Sequence, residues 1–197
     1  MSQALLKPVI SEDDYLSSEA QSPTRRELVS GQVYPVAGAS ERHNQIALNI
    51  AFHLRSVTRG KSCKTFVADM RLRQMQGTLY YYPDVMLVCD PHDDHPHHKQ
   101  APCFIAEVLS LATAATDVRE KRLSYQRLPS LRYYLVVDSE RVWAQCHVRL
   151  PDGQWGTLSF DVDDRLDVQC AAMLRFRCAW MIFTRTRASC LAEVGRS

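Results

Sequence analysis

The sequence predicts a mixed α/β fold of the α+β kind, built on a mixed sheet, and three observations predict it. Residues 82–88 and 104–110 are apolar runs short enough for buried strands, and each has one acid embedded in it, Asp84 and Glu107. The second run leads into a helical stretch and then into 131–137, a strand–helix–strand order that suits a right-handed parallel crossover. Upstream, Ile46, Ile50, Leu54 and Val57 recur at spacings of four, four and three, the stripe of a helix with one buried face.

Size and composition set the outer limits. The 197 residues suffice for one domain with a real core, and the whole chain, 1–197, is read as a single unit with a core at about 25–160 and an extension at 161–197. A hydrophobic fraction of 46% and a net charge of +2 permit a nucleic-acid partner without demanding one. No apolar run is long enough to span a membrane, and the first residues lack a basic-then-apolar leader pattern. The seven cysteines include no Cys-x-x-Cys pair and lie mostly in apolar segments. They read as free thiols packed as small hydrophobes, in keeping with a reducing cytoplasm.

Taken in order, 11–16 suits one short capped helix, and Ser30-Gly31 marks a hairpin turn between 26–29 and 32–36. Ser40 caps the striped helix, which runs to about Arg59 and stops at Gly60. Strands follow at 63–68, at 70–73 and, beyond Gly77, at 79–82. Pro83 holds Tyr82 extended and tolerates only a strand's opening position, so Asp84 stands at the start of its strand. Residues 89–101 read as a solvated loop, although its four histidines and three aspartates also suit a transition metal. Beyond the crossover, Asp138-Ser139-Glu140 and Asp152-Gly153 turn the chain into antiparallel strands at 142–148 and 155–160. Residues 171–184 form an amphipathic helix or strand carrying Trp180, Ile182 and Phe183, with Arg175, Arg177, Arg185 and Arg187 at polar positions.

The chemistry rests on the two embedded acids. A lone buried carboxylate needs a cation, a donor or a proton. Two of them on neighbouring strands would repel by roughly 4 kcal/mol at about 4 Å and an effective dielectric near 20. A divalent metal between them removes that penalty. Alternation puts Ile105, Glu107 and Leu109 on one strand face, so the position two after Glu107 holds Leu109 and supplies no cation there. The helix at 117–128 offers one instead. Val118, Lys121, Tyr125 and Leu128 share a face, which sets Lys121 inside an apolar stripe. The bland alternative is a lysine that lays its stem on the core and pairs with Asp117 one turn back.

The order of Tyr82-Pro83-Asp84, Ile105-Ala106-Glu107-Val108-Leu109-Ser110, Asp117-x-x-x-Lys121-x-x-x-Tyr125 and Tyr133-Tyr134-Leu135-Val136-Val137-Asp138 resembles the Uma-two family of restriction-endonuclease-like proteins, a branch of the PD-(D/E)XK nuclease superfamily. Glu27-Leu28-Val29-Ser30-Gly31-Gln32-Val33 and Ala37-Gly38-Ala39-Ser40-x-x-His43 match its upstream pattern. The likeness covers about residues 10–160.

It implies a core of helix, three strands, helix, strand, with antiparallel additions at both ends. It implies Asp84 and Glu107 as metal-binding acids and Lys121 as the lysine displaced to the following helix. Glu27, His43 and Ser110 would support the site. The implied cofactor is Mg2+ or Mn2+, the substrate DNA and the reaction phosphodiester hydrolysis, with two copies of the chain pairing to cut both strands. Arg71, Arg73, Arg119 and Arg122 are candidates for phosphate contact. Arg26 and Ser30 depart from the family pattern beside Glu27 and Gly31, and the segment after about Asp161 fits it poorly. Two other readings stay open: a catalytically inactive module of the same fold that binds nucleic acid or protein, and a structural domain whose acids pair with lysine or arginine.

Overall fold

The structure is a computed structural model and describes residues 9–110, 116–160, 164–171 and 174–179. Helix α1 (Glu12–Glu19) starts at Ser11, whose side chain accepts from the Asp14 N–H. Strands β1 (Arg26–Val29) and β2 (Gln32–Pro35) form the expected hairpin. Its turn residues Ser30 and Gly31 both have positive φ, the handedness that matches strand twist. Helix α2 (Glu41–Val57) is capped by Ser40, and Gly60 at φ +77° follows its end.

Strands β3 (Lys64–Val67), β4 (Arg71–Gln74), β5 (Leu79–Tyr81) and β6 (Val85–Val88) come next. After them lie β7 (His98–Lys99), β8 (Pro102–Leu109), α3 (Thr116–Tyr125), β9 (Tyr133–Asp138), β10 (Ala144–Arg149) and β11 (Trp155–Phe160). A final antiparallel pair is β12 (Arg165–Ala171) with β13 (Leu174–Ala179).

Among the described residues the strands form a six-stranded sheet, ordered β11-β10-β9-β8-β6-β3, and a five-stranded sheet, ordered β2-β1-β5-β4-β7. The expected helix, three strands, helix, strand core is α2, then β3, β6 and β8, then α3 and β9. Strand β8 is antiparallel to β6 and parallel to β9, so the two acid-bearing runs are sheet neighbours and the crossover is real.

Alternation on β8 sorts the core. Phe104, Ala106 and Val108 pack with Ile46, Ile50 and Leu54 of α2, while Ile105 packs with Tyr125, Tyr134 and Val136 on the other face. A third cluster, Tyr15, Leu28 and Tyr80, fastens α1 to the five-stranded sheet. The Tyr15 hydroxyl donates to the Arg26 carbonyl. Glu19 accepts from the Arg26 amide and guanidinium and from the Tyr82 hydroxyl, which fixes the approach to Pro83 and Asp84.

Two expectations are corrected. The cysteines are not all free thiols: Cys63 is disulfide-bonded to Cys89, which the β3–β6 pairing sets opposite it, and Cys103 of β8 to Cys170 of β12. Cys146 is a buried thiol.

The segment 89–101 is not wholly a solvated loop. His98 and Lys99 pair with β4 and are buried, the Lys99 ammonium donates to the carbonyls of Asp93 and His95, and Asp93 accepts from the amides of Gln100 and Ala101. His95 and His98 stack ring on ring, and burial pushes the His98 imidazole down to about 4. Among the described residues its histidines and aspartates do not converge as a metal-ligand group.

The stretch read as starting at Ala171 is the end of one strand and the whole of the next. Trp180, Ile182, Phe183, Arg185 and Arg187 lie outside the described residues. No helix among the described residues is long and apolar enough to cross a membrane.

Candidate active site

A cleft of about 380 Å3 opens where β6 begins and β8 ends. Six of the ten residues singled out from the sequence, Glu27, His43, Asp84, Glu107, Ser110 and Lys121, line it. They come from β1, the first turn of α2, the residue before β6, the end of β8 and the residue after it, and the middle of α3.

Asp84 is held from two sides. Its Oδ2 accepts the Val108 N–H at 2.8 Å and lies 3.2 Å from His43 Nε2. The first bond follows from register: Val85 pairs with Ala106, so the residue before Val85 meets the end of β8. The second puts His43 on the acid rather than in a bond confined to the helix start. That contact holds the imidazole above its usual range, against the opposing effect of burial.

Glu107 is buried on the α3 side of the sheet. Its Oε1 accepts the Tyr125 hydroxyl at 2.7 Å and lies 3.9 Å from the Lys121 ammonium. Burial pushes its carboxyl up to about 8; Lys121 opposes that rise, and the charges of Asp84 and Glu27 add to it.

Lys121 itself is only 9% exposed, as its place in the apolar stripe predicts. It donates to Glu27 Oε1 at 2.9 Å and stands 5.4 Å from the centre of the Tyr81 ring. That partner is far along the chain; the bland pairing with Asp117 rests on a side chain outside the described ones. Glu27 also accepts the Tyr82 N–H at 3.1 Å, so this carboxylate joins β1, the chain before Pro83 and α3.

The arginine candidates do not share the cleft. Arg73 is bound by Glu12 at 2.7 Å and also donates to Tyr80, and Arg71 donates to the His97 carbonyl, both on the five-stranded sheet. Arg119 is exposed and Arg122 half-buried on α3, away from the lining. The cleft's arginine is Arg25, paired with Asp69 at 3.1 Å.

Sequence reasoning missed Arg25 and gave Tyr125 no role beyond packing. The available signal for Tyr125 was its place one turn beyond Lys121 on the same helix face.

The arrangement is a half-buried pocket of three carboxylates and one ammonium, with hard oxygen donors at its centre. Carboxylate oxygens of this kind fit a hard divalent cation such as Mg2+ or Mn2+.

The comparisons with known proteins agree with the fold. The family described as "Uma2: Putative restriction endonuclease" matches residues 12–178. Two uncharacterized proteins of Synechocystis sp. are similar. One is 31% identical over 150 residues, covering 75% of this chain and 85% of that protein. The other is 30% identical over 163 residues, covering 82% and 86%. Among solved structures, a putative nuclease belonging to DUF820 from Anabaena variabilis superposes with a TM-score of 0.70 at 16% identity. That superposition covers 89% of this chain and 97% of the other.

Proposed function

Because the chain belongs to the Uma2 family of putative restriction endonucleases, a nuclease-like assignment, we infer that its cleft hydrolyses phosphodiester bonds in DNA with the help of a divalent cation. One observation carries this reading most. Asp84 and Glu107, carried at the edges of neighbouring strands, line the same cleft, and the Lys121 ammonium of α3 stands 3.9 Å from Glu107.

Asp84 and Glu107, with Glu27 behind them, are the residues that would hold Mg2+ or Mn2+. Bound there, the ion would make a water more acidic and take up charge on the scissile phosphate. The chain's own groups do the rest. Val108 N–H and His43 fix the Asp84 carboxylate, and the Tyr125 hydroxyl fixes that of Glu107, so neither acid has to be ordered at the moment of reaction.

Lys121 brings an ammonium to the acids without a lysine on β8 and is positioned to balance charge building on the phosphate. Glu27 keeps that ammonium from swinging out to solvent. His43, held above its usual range by Asp84, backs that acid at the cleft wall.

The test is incubation of the purified protein with supercoiled plasmid and Mn2+. Wild type should nick or linearise the plasmid, and Lys121→Ala and Asp84→Asn should each lose at least about a hundredfold in rate, the range for removing one charge-stabilising group. An intact plasmid that is nonetheless retarded in a gel would make the protein a binding module of the same fold. Indifference to both DNA and metal would make the acids structural.

A further inference from the structure

The far end of the six-stranded sheet gathers sulfur. Cys63 stands just before β3, Cys89 just after β6 and Cys103 near the start of β8. The pairings Lys64 with Val88 and Val88 with Pro102 set these three side by side across adjacent strands. Cys170, on β12, reaches in from the last hairpin and bonds Cys103, while Cys63 bonds Cys89.

The two disulfides touch: Cys89 Sγ and Cys103 Sγ, which belong to different pairs, are 3.7 Å apart. The sulfurs of Cys89, Cys103 and Cys170 all lie within 4.8 Å of one another. Two independent staples need no such proximity. A tetrahedral zinc ion with bonds of about 2.3 Å to thiolate sulfur has sulfurs about 3.8 Å apart along each edge. The separation between the two pairs is that of such an edge.

We propose that, when both disulfides are reduced, Cys63, Cys89, Cys103 and Cys170 form a tetrathiolate site for a soft divalent cation of the zinc class. Each disulfide takes two electrons and two protons from a dithiol reductant, which closes to its own disulfide. The cation then displaces four thiol protons and leaves a cluster of net charge −2. Cys63 and Cys103 are buried while Cys89 and Cys170 are half-buried, so the cluster reaches solvent on one side and its charge is not sealed in the core.

Bound metal would tie the β12–β13 hairpin to the sheet, as the Cys103–Cys170 disulfide does in the oxidised chain. Sheet register brings three of the donors together and the last hairpin supplies the fourth, so closely spaced cysteine pairs are not required. The site is distinct from the cleft. Asp84 and Cys89 stand at opposite ends of β6, roughly 17 Å apart along an extended strand, and Cys103 and Glu107 on β8 roughly 13 Å apart.

The experiment is a Co2+ titration of the full chain after reduction with a phosphine under argon, with circular dichroism to verify folding. One equivalent of Co2+ should produce the thiolate-to-metal charge-transfer absorption and the strong visible bands of a tetrahedral site, and Zn2+ should displace it. Cys103→Ser and Cys170→Ser should each weaken binding at least tenfold. Cys146→Ser and the Asp84→Asn, Glu107→Gln double variant should leave the spectrum unchanged, which separates this site from the cleft. The proposal is overturned if the folded, reduced chain shows no charge-transfer band, if the band survives in the Cys103→Ser, Cys170→Ser double variant, or if the disulfides resist the reductant in the folded chain.

Discussion

Glu107 is the residue whose environment has the sharpest consequence. Its carboxyl, near 4.5 in an unfolded chain, is raised to about 8 in the fold, chiefly by burial. Between those values the folded state holds a proton that the unfolded state has released. Its contribution to stability is therefore complete below about pH 4.5 and is lost as pH rises through about 8. Glu107→Gln keeps the shape of the protonated acid and cannot ionise. Thermal melts across this range should show the variant matching wild type near the acid end and melting higher than wild type at pH 8. A parallel fall of both proteins would mean that Glu107 is ionised throughout. The embedded acid was legible in the sequence because a carboxylate in an apolar run is itself anomalous. Its hydroxyl partner Tyr125 was not, because an aromatic residue on a helix face is first of all core, and only the crossover angle of α3 turns its hydroxyl onto Glu107.

At the scale of elements, the Glu27–Lys121 pair joins the two sheets: β1 belongs to the five-stranded one, and α3 packs on the six-stranded one. Removing one partner of a buried pair strands the other charge, whereas removing both restores neutrality. Lys121→Met should destabilise by about 3 kcal/mol in urea denaturation, and adding Glu27→Gln should recover part of that loss. Simple additivity of the two losses would show that the pair is not coupled.

A second element-level prediction concerns Gly77, at φ +91°, where a Cβ would run into the Glu12 carboxylate. Gly77→Ala should cost at least about 1 kcal/mol from the backbone alone. It should also break the contacts of Glu12 with Arg73 and Tyr80, visible as a lowered denaturation midpoint. Most elements could be read from the sequence because their signals are local: the Ser40 cap, the Ser30-Gly31 turn and the short apolar runs of β6 and β8. Strand β7 could not, since two residues carry no periodicity and its partner β4 is distant in sequence. The β12–β13 hairpin was blurred because short apolar segments interleaved with arginine fit either period. Cysteine pairing was hidden for a related reason, since it depends on strand register for Cys63–Cys89 and on the docking of the last hairpin for Cys103–Cys170, and not on spacing.

For the molecule as a whole, charge decides how a nucleic acid would be met. The net charge is only +2, and Arg73, one of the arginines that a sequence reading offers to phosphate, is consumed by Glu12. The cleft has three acids, Glu27, Asp84 and Glu107, against Lys121 and Arg25, and Arg25 is already paired with Asp69. An anionic backbone entering that pocket gains little from the protein alone. A divalent cation on the acids would reverse the local sign, so metal and DNA binding should be coupled, each strengthening the other by the same factor. Magnesium alone should first raise the melting temperature, by up to about 2.7 kcal/mol of stability at a hundredfold excess over its dissociation constant. The Asp84→Asn, Glu107→Gln double variant should not respond. Calcium, which takes hard oxygen ligands as magnesium does, should then tighten binding of a short duplex at least tenfold over the same buffer with EDTA, measured by fluorescence anisotropy at fixed ionic strength. The double variant should bind the duplex equally with and without calcium. Equal affinity in calcium and EDTA for the wild type would place the DNA on some other surface and leave the cleft without a nucleic-acid role.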